Sequence, residues 1–426
     1  MVFFYFHKLA AMNLFYTPLL YLASILINFL AIFNKKLALF VNGRKESFEK
    51  LAVFKKKDKV IWLHAASLGE FEQGRPIIEQ IKMYFPEYKI LVTFFSPSGY
   101  EVRKDYKLAD VVCYLPIDTP KNMKKFIRKV NPKIAIIIKY EFWPNLLNEL
   151  YNTQTTTLLV SGIFRKNQIF FKWYGAFMRK SLKAFQHFFV QNNASKKLLE
   201  EINFNNVSVS GDTRFDRVFE ILQQQNELKF VNSFKNNTYT IVAGSTWKED
   251  EELLVNYINN NPSSDEKFII APHNINPKDI LNLKKSINKP TVVFSEKEDK
   301  NIANYQVLII DTIGLLTKIY SYADTAYVGG GLATGLHNIL EPATYGIPIT
   351  FGGIKYKKFQ EAIDLLELKG ATIVTNKEDF SSTFATLKQN TSLRTDMGKI
   401  NKKYIQDNVG ATNSIMAYIS KLMTQY

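Results

Sequence analysis

Thr325–Ala343 reads TAYVGGGLATGLHNILEPA. A short apolar strand, Thr325–Val328, runs into Gly329-Gly330-Gly331 and then towards a helix entry at Asn338–Glu341. A glycine-rich loop between a strand and a helix exposes backbone N–H groups that can cradle a phosphate. The spacing is neither GxGxxG nor GxxxxGK[ST], so neither a dinucleotide fingerprint nor a P-loop is indicated. Asn338 and Glu341 stand three apart, on one helix face. Two readings of that pair remain open: a carboxylate for the two hydroxyls of a ribose, or a helix cap.

Outward from this loop the same pattern recurs through the second half of the chain. Apolar strands are expected at Tyr239–Ala243, Lys267–Ala271, Thr291–Phe294, Gln306–Ile310 and Ile347–Phe351, with helical stretches between them. Such alternation predicts a parallel α/β domain. Gly244-Ser245-Thr246 ends one strand ahead of the acidic Glu249–Glu252, Ala271-Pro272-His273-Asn274 ends the next, and Asp311-Thr312-Ile313-Gly314 ends a later one beside the same face. His273 reads either as a satisfied loop histidine or as a donor to a phosphate or base.

The first half repeats the plan. Lys59–His64, Lys89–Phe94, Asp110–Tyr114, Lys133–Ile138, Thr157–Ser161, His187–Gln191 and Val207–Ser210 are strand candidates. Their Ile, Val and Leu content fits strands buried on both faces. Ligands of such sheets bind at the carboxyl ends of the strands. The first loop there is Ala65-Ala66-Ser67-Leu68-Gly69-Glu70, where Ser67 is a candidate cap. Glu70 is either a partner of the helix dipole or, projecting into the crevice, a general base. Lys139 and Glu141, in Lys139–Asn145 (KYEFWPN), flank the same crevice or form a local ion pair. Arg214, in Gly211–Asp216 (GDTRFD), is set to neutralise a phosphate or to pair with Asp212 or Asp216.

Composition limits what this architecture can do. The chain has 426 residues, 46% hydrophobic and 22% charged, which suits two globular domains. One cysteine, Cys113, excludes a disulfide framework and a Cys-built metal site. The five histidines lack ligand spacing, so no metal site is expected. Net charge is +16, of which residues 1–220 carry +15, so the first half should face something anionic: a membrane surface, a phosphorylated substrate or nucleic acid. Leu14–Phe33 is twenty residues without a charge, closed by Lys35 and Lys36. It predicts an amino-terminal membrane anchor that either spans the bilayer or lies in its interface. Its lysine flank would hold the rest of the chain on the cytoplasmic side.

Ser67–Glu70 (SLGE), KYEFWPN, GDTRFD, Asp311–Gly314 (DTIG) and Gly329–Pro342, in that order behind an apolar segment, resemble the 3-deoxy-D-manno-octulosonic acid (Kdo) transferases of lipopolysaccharide synthesis. The resemblance runs from Met12 nearly to the carboxyl terminus. It implies a GT-B glycosyltransferase: two Rossmann-like doubly wound domains facing a cleft, using no metal or other cofactor, and inverting. It also implies CMP-Kdo as donor, a lipid A precursor as acceptor and anionic lipid as a surface partner, at the inner (cytoplasmic) membrane.

By matching position, the resemblance makes Glu70 the base and Arg214 a stabiliser of the transition state. CMP contacts fall at Pro272 and His273, at Ile313, Gly314 and Leu315, and at Asn338, Ile339, Leu340 and Glu341. Three departures are visible. His273 replaces an Arg, Leu315 stands where an acid is common, and Lys139 stands where many relatives have a Glu assigned to the transition state. The implied organisation is an anchor over residues 1–35, an acceptor domain over 36–225, a CMP-sugar domain over 226–405 and a carboxyl-terminal helix, 406–426, packing back towards the first. The rival readings are a membrane-associated GT-B enzyme with a UDP-sugar donor and a basic nucleic-acid-binding protein. The latter lacks a basic helix with interleaved stacking aromatics, so no nucleic acid is expected as partner.

Overall fold

A computed structural model describes residues 2–223, 225–261, 263 and 265–424, with side chains from Tyr16 onwards. The chain divides into two compact units, Met1–Arg217 with Val409–Tyr426, and Val218–Asn408.

The first unit is built on a parallel sheet whose seven strands are β1 (Val60–Ala65), β2 (Lys89–Phe94), β3 (Val111–Tyr114), β4 (Pro132–Ile138), β5 (Thr156–Gly162), β6 (His187–Val190) and β7 (Val207–Val209). Their order is β3-β2-β1-β4-β5-β6-β7. Alternate side chains of each strand enter different cores. Trp62, Ala135 and Ile137 go to one face, Ile61, Leu63, Ile134, Ile136 and Ile138 to the other. Burial on both faces is why these strands read as continuous apolar runs. The helix Ala411–Met423 places Ile415, Met416 and Ile419 in the second of these cores. Asp216 caps that helix, accepting from the Gly410 and Thr412 amides at 2.5 and 2.7 Å and from the Thr412 hydroxyl at 2.7 Å.

The second unit repeats the device with β8 (Tyr239–Thr246), β9 (Glu266–Pro272), β10 (Thr291–Val293), β11 (Val307–Ile309), β12 (Thr325–Val328), β13 (Ile349–Gly352) and β14 (Ala371–Val374). All pairs are parallel, in the order β10-β11-β9-β8-β12-β13-β14. β14 has no counterpart among the expected strands. It is a four-residue edge strand after Gly370, too short for its period to stand out.

The amino-terminal expectation needs correction. Among the described residues no helix is long and apolar enough to cross a membrane, so a spanning anchor is unsupported. The helix Val2–Leu30 stops inside the apolar stretch. Ala31–Phe33 close it with amides bonded to Ile27, Phe29 and Leu30 carbonyls, and Asn34 caps a new helix, Lys35–Lys45, through the Lys36 and Leu37 amides. One side of the first helix is tied down: Tyr16 donates to Asp118 at 2.8 Å and its ring packs near Phe177. The other side is exposed at Leu19, Leu22, Ile25, Leu26 and Phe29.

Candidate functional site

Strand order reverses direction between β1 and β4 in the first sheet and between β8 and β12 in the second. Loops leaving the carboxyl ends of those strands diverge and leave a crevice at each switch point. Two strand ends there carry a non-glycine residue in the left-handed region, Lys139 (φ 68°) after β4 and Ser245 (φ 55°) in β8, and Ser161 (φ 53°) does so in the neighbouring β5. Each such residue costs about 1–2 kcal/mol, and strain of this kind concentrates at functional loops.

In the first unit Glu70 lies in the first turn of the helix Leu68–Tyr84, half-buried. Ser67 occupies the N-cap position but caps no amide; its hydroxyl donates to Glu70 Oε2 at 2.8 Å. The hydrogen bond holds the carboxylate at the mouth of the loop. A Cβ at Gly69 would meet nothing within 4 Å, so the packing leaves open space beside Glu70.

Lys139 and Glu141 part company. Lys139 Nζ lies 5.5 Å from the centre of the Tyr140 ring, and the Arg165 guanidinium lies at the same distance from it. Burial pushes the Tyr140 hydroxyl up, Arg165 opposes that shift, and the charges of Glu70 and Arg214 also reach it. Tyr140 thus lies within reach of the charges of Arg165, Glu70 and Arg214. Glu141 turns inward, accepting from His64 Nε2 at 3.1 Å and Trp143 Nε1 at 2.7 Å. Behind His64, Thr93 Oγ1 lies 2.8 Å from Nδ1 and accepts from Trp62 Nε1 at 2.8 Å. A neutral His64 with its proton on Nε2 satisfies every member of this buried chain. Burial alone would push the Glu141 carboxyl up, but the bonds from His64 and Trp143 outweigh it and hold the acid below its ordinary range.

Arg214 pairs with Asp212 and not Asp216. Its amide and Nε reach Asp212 at 2.9 Å each and Nη2 at 2.8 Å. Gln73 donates to the same carboxylate at 2.8 Å, and Thr213 donates to the Gln73 carbonyl at 2.6 Å. Burial raises the Asp212 acid, but Arg214 more than reverses the effect, so the group stays ionised below the usual carboxylate range.

In the second unit the glycine-rich loop is held by a residue the sequence reading passed over. Buried Asp250 accepts from the Trp247 amide at 2.9 Å, the Tyr327 hydroxyl at 2.7 Å and the Gly330 amide at 2.8 Å. Gly330 (φ 94°) could not be replaced, since a Cβ there would sit 2.3 Å from the Gly335 carbonyl oxygen. His273 and His337 come together, ring centres 4.6 Å apart, and Trp247 stacks on His273 at 4.7 Å. Trp247 Nε1 donates to His337 Nε2 at 3.0 Å, which requires that nitrogen to be unprotonated. Burial, with the neighbouring His273, pushes His337 down to about 4. Pro272 closes β9 immediately before His273.

Asn338 lies before the helix Leu340–Thr344, whose N-cap position is Ile339, so the expected shared helix face gives way to a turn. Asn338 Nδ2 donates to Glu341 at 3.1 Å, its Oδ1 accepts the Leu340 amide at 3.2 Å, and Thr317 donates to the other Glu341 oxygen at 2.8 Å. Thr317 comes two residues after Leu315 and so ties the Ile313–Leu315 segment to Glu341. Ile313 itself is 84% exposed, and Gly314 adopts φ 95° with open space around it. Arg165, Trp247, Asp250 and Thr317 carried no spacing signal, because each meets its partner only through the fold.

Residues 42–217 match the family model described as 3-Deoxy-D-manno-octulosonic-acid transferase (kdotransferase). A bifunctional glycosyltransferase/methyltransferase of Fusobacterium nucleatum is 28% identical over 370 residues, covering 83% of this chain and 56% of the relative. The chain therefore spans little more than half of that protein. The 3-deoxy-D-manno-octulosonic acid transferases of Rickettsia felis and Aquifex aeolicus are each 28% identical, covering 85% and 73% of this chain and 79% and 80% of theirs. Among solved structures, Acinetobacter baumannii MurG superposes with a TM-score of 0.55 at 13% identity, covering 85% of this chain and 99% of that one. A Neisseria meningitidis UDP-GlcNAc 2-epimerase bound to UDP-GlcNAc superposes with a TM-score of 0.58 at 15% identity, covering 85% and 100%. At such identities the likeness shows the fold alone, which is GT-B-like.

Proposed function

We propose that this chain, which belongs to the Kdo transferase family, moves Kdo from CMP-Kdo to a sugar hydroxyl of a lipid A precursor, as an inverting, metal-independent glycosyltransferase at the cytoplasmic face of the inner membrane. The observation that carries the reading is the placement of Glu70. It is a half-buried carboxylate at the β1 exit, held by Ser67, and its charge reaches the Tyr140 hydroxyl.

Glu70 takes the proton of the acceptor hydroxyl as that oxygen attacks the anomeric carbon of Kdo from the face opposite CMP. General-base catalysis of this kind contributes about 10²–10⁴ in rate. The leaving group is a phosphate monoester, and its departure requires stabilisation of growing negative charge. Arg214, its guanidinium plane fixed by Asp212, takes that role on the first unit. Lys139, where relatives carry Glu, supplies a second cation in place of an acid. On the second unit the nucleotide is assigned to Pro272 and His273, to Ile313, Gly314 and Leu315, and to Asn338, Ile339, Leu340 and Glu341. Glu341, held in place by Thr317 and Asn338, presents the carboxylate that the reading assigns to the donors of a ribose. His273 stands where relatives have an arginine; burial pushes its imidazole down, so it meets phosphate as a neutral N–H donor.

Incubation with CMP-Kdo and lipid IVA, read by mass spectrometry, tests donor and acceptor together. Glu70→Ala should lower transfer by at least about 10², with CMP binding retained. Near-normal turnover in that variant sinks the base assignment. Stabilisation of the protein by UDP and not CMP in thermal unfolding would replace the donor with a UDP-sugar.

A further inference from the structure

One half-buried cation of the first unit has no carboxylate partner among the described residues. Arg44, near the end of the helix Lys35–Lys45, donates from Nη1 to the Phe40 carbonyl at 3.0 Å and from Nη2 to the Phe95 carbonyl at 2.6 Å. Its Nε is buried without a hydrogen-bond partner, and among the described residues no carboxylate pairs with it. The rings of Phe40, Phe95 and Tyr114 lie 3.5, 4.8 and 5.1 Å from the guanidinium carbon. Ring faces offset part of the desolvation but bring no net charge. Burial accordingly lowers Arg44 to about 9. The position is built. A Cβ on Gly43 would sit 2.2 Å from the Tyr114 ring, so the glycine is what lets this helix lie close enough for Arg44 to reach Phe95.

A cavity of about 290 Å³ opens beside this cation, lined by Ser24 and Ile27 of the first helix, by Phe40, and by Ile117 and Asn122. That volume is at the small end of ligand sites, about 300–1,000 Å³, and suits part of a large ligand. Arg44 links it to the Glu70 loop through Phe95. The Phe95 and Ser96 amides donate to the Ala65 and Ala66 carbonyls at 3.3 and 2.8 Å, directly where β1 runs towards Glu70. The Phe95 ring stacks on Trp143 at 4.7 Å. Arg44 beside Ile27 and Ile117, with Lys45 also on the lining, calls for an amphiphile whose anion meets the guanidinium while its hydrocarbon covers the two isoleucines.

We propose that this cavity is a lipid subsite: Arg44 takes a phosphate of the acceptor, and the walls take the adjoining stretch of acyl chain. Naming the occupant as the acceptor rests on the transferase reading; the preference for a phosphorylated, acylated lipid rests on the cavity.

Calorimetric titration of the full chain, without any CMP-sugar, separates the parts. The probes are dihexanoyl phosphatidic acid, dihexanoyl phosphatidylcholine and inorganic phosphate. Phosphatidic acid should bind at least about tenfold more tightly than either of the others, the scale of a charge-assisted contact. Arg44→Gln should bring it down to the phosphatidylcholine level. Ser24→Trp, which fills the cavity from a helix surface, should weaken phosphatidic acid by a similar factor and raise KM for lipid IVA with KM for CMP-Kdo unchanged. Equal binding of the two lipids by the native chain overturns the proposal, as does phosphate binding as tightly as phosphatidic acid. Normal affinities in Ser24→Trp overturn it even where Arg44→Gln does not fold. If lipid discrimination holds and no Kdo is transferred, the subsite stands and the transferase reading falls; transfer without discrimination gives the reverse.

Discussion

Asp212→Asn should separate the positioning of Arg214 from its presence. The native carboxylate is 6% exposed and takes bonds from the Arg214 amide, Nε and Nη2 and from Gln73. Asparagine can still accept from Gln73 and the Arg214 amide through one oxygen, but turns an N–H₂ towards a guanidinium. Breaking a buried ion pair costs about 3–5 kcal/mol. Arg214 is 24% exposed and can rehydrate in part, which brings the expected loss to about 2–3 kcal/mol. Urea unfolding reads this in a Trp247→Phe background, where the remaining tryptophans, Trp62, Trp143 and Trp173, all report on the first unit. The Asp212 acid is depressed in the folded state, so its stabilisation is complete above the unfolded value of 3.8 and is lost as pH falls through the folded one. The gap between variant and native protein should therefore be constant from about pH 5 to 8 and shrink below about pH 4. In the transfer assay kcat should fall with KM for lipid IVA nearly unchanged, because the proposed mechanism has the guanidinium act on the departing phosphate. A native-like urea midpoint at pH 7, or a gap undiminished between pH 5 and pH 3, would refute the reasoning.

Asp250→Ala should destabilise the second unit by about 3–5 kcal/mol, since three donors, two of them amides, lose a buried acceptor. Hydrogen exchange should then show the Gly330 amide opening faster than the amides of β8. His337 is buried neutral with its folded value lowered to about 4, so the second unit should lose stability as pH falls from 6.5 towards 4. His337→Gln should flatten that dependence in thermal unfolding at pH 4.5–7. Trp247→Phe removes the donor to His337 and should raise its titration midpoint, as followed by the imidazole proton resonance.

Much of the architecture was legible because parallel strands buried on both faces write themselves as runs of Ile, Val and Leu. Lys133–Ile138 is such a run, and β4 occupies nearly the same residues. Ala371–Val374 escaped because an edge strand of four residues leaves too little pattern. The amino-terminal stretch misled in its extent, because composition counts charges and not helix ends: the turn at Ala31–Phe33 lies inside an uncharged segment. The Glu70 loop was visible from its position alone, as the first turn out of the first strand.

What the residue order determined by itself is therefore local: which segments are strands, where glycines free the backbone, where charge accumulates, and which motifs line up with a transferase family. Tertiary structure decided the pairings. Glu141 went to His64 across 77 residues, Arg214 to a carboxylate shared with Gln73, Asp250 to the glycine-rich loop 80 residues on, and Arg44 to a site with no acid among the described residues. The division has one physical cause. Helix and strand propensities act between neighbours along the chain. A buried polar group must instead find its partner among whatever residues the sheet order brings within about 3 Å.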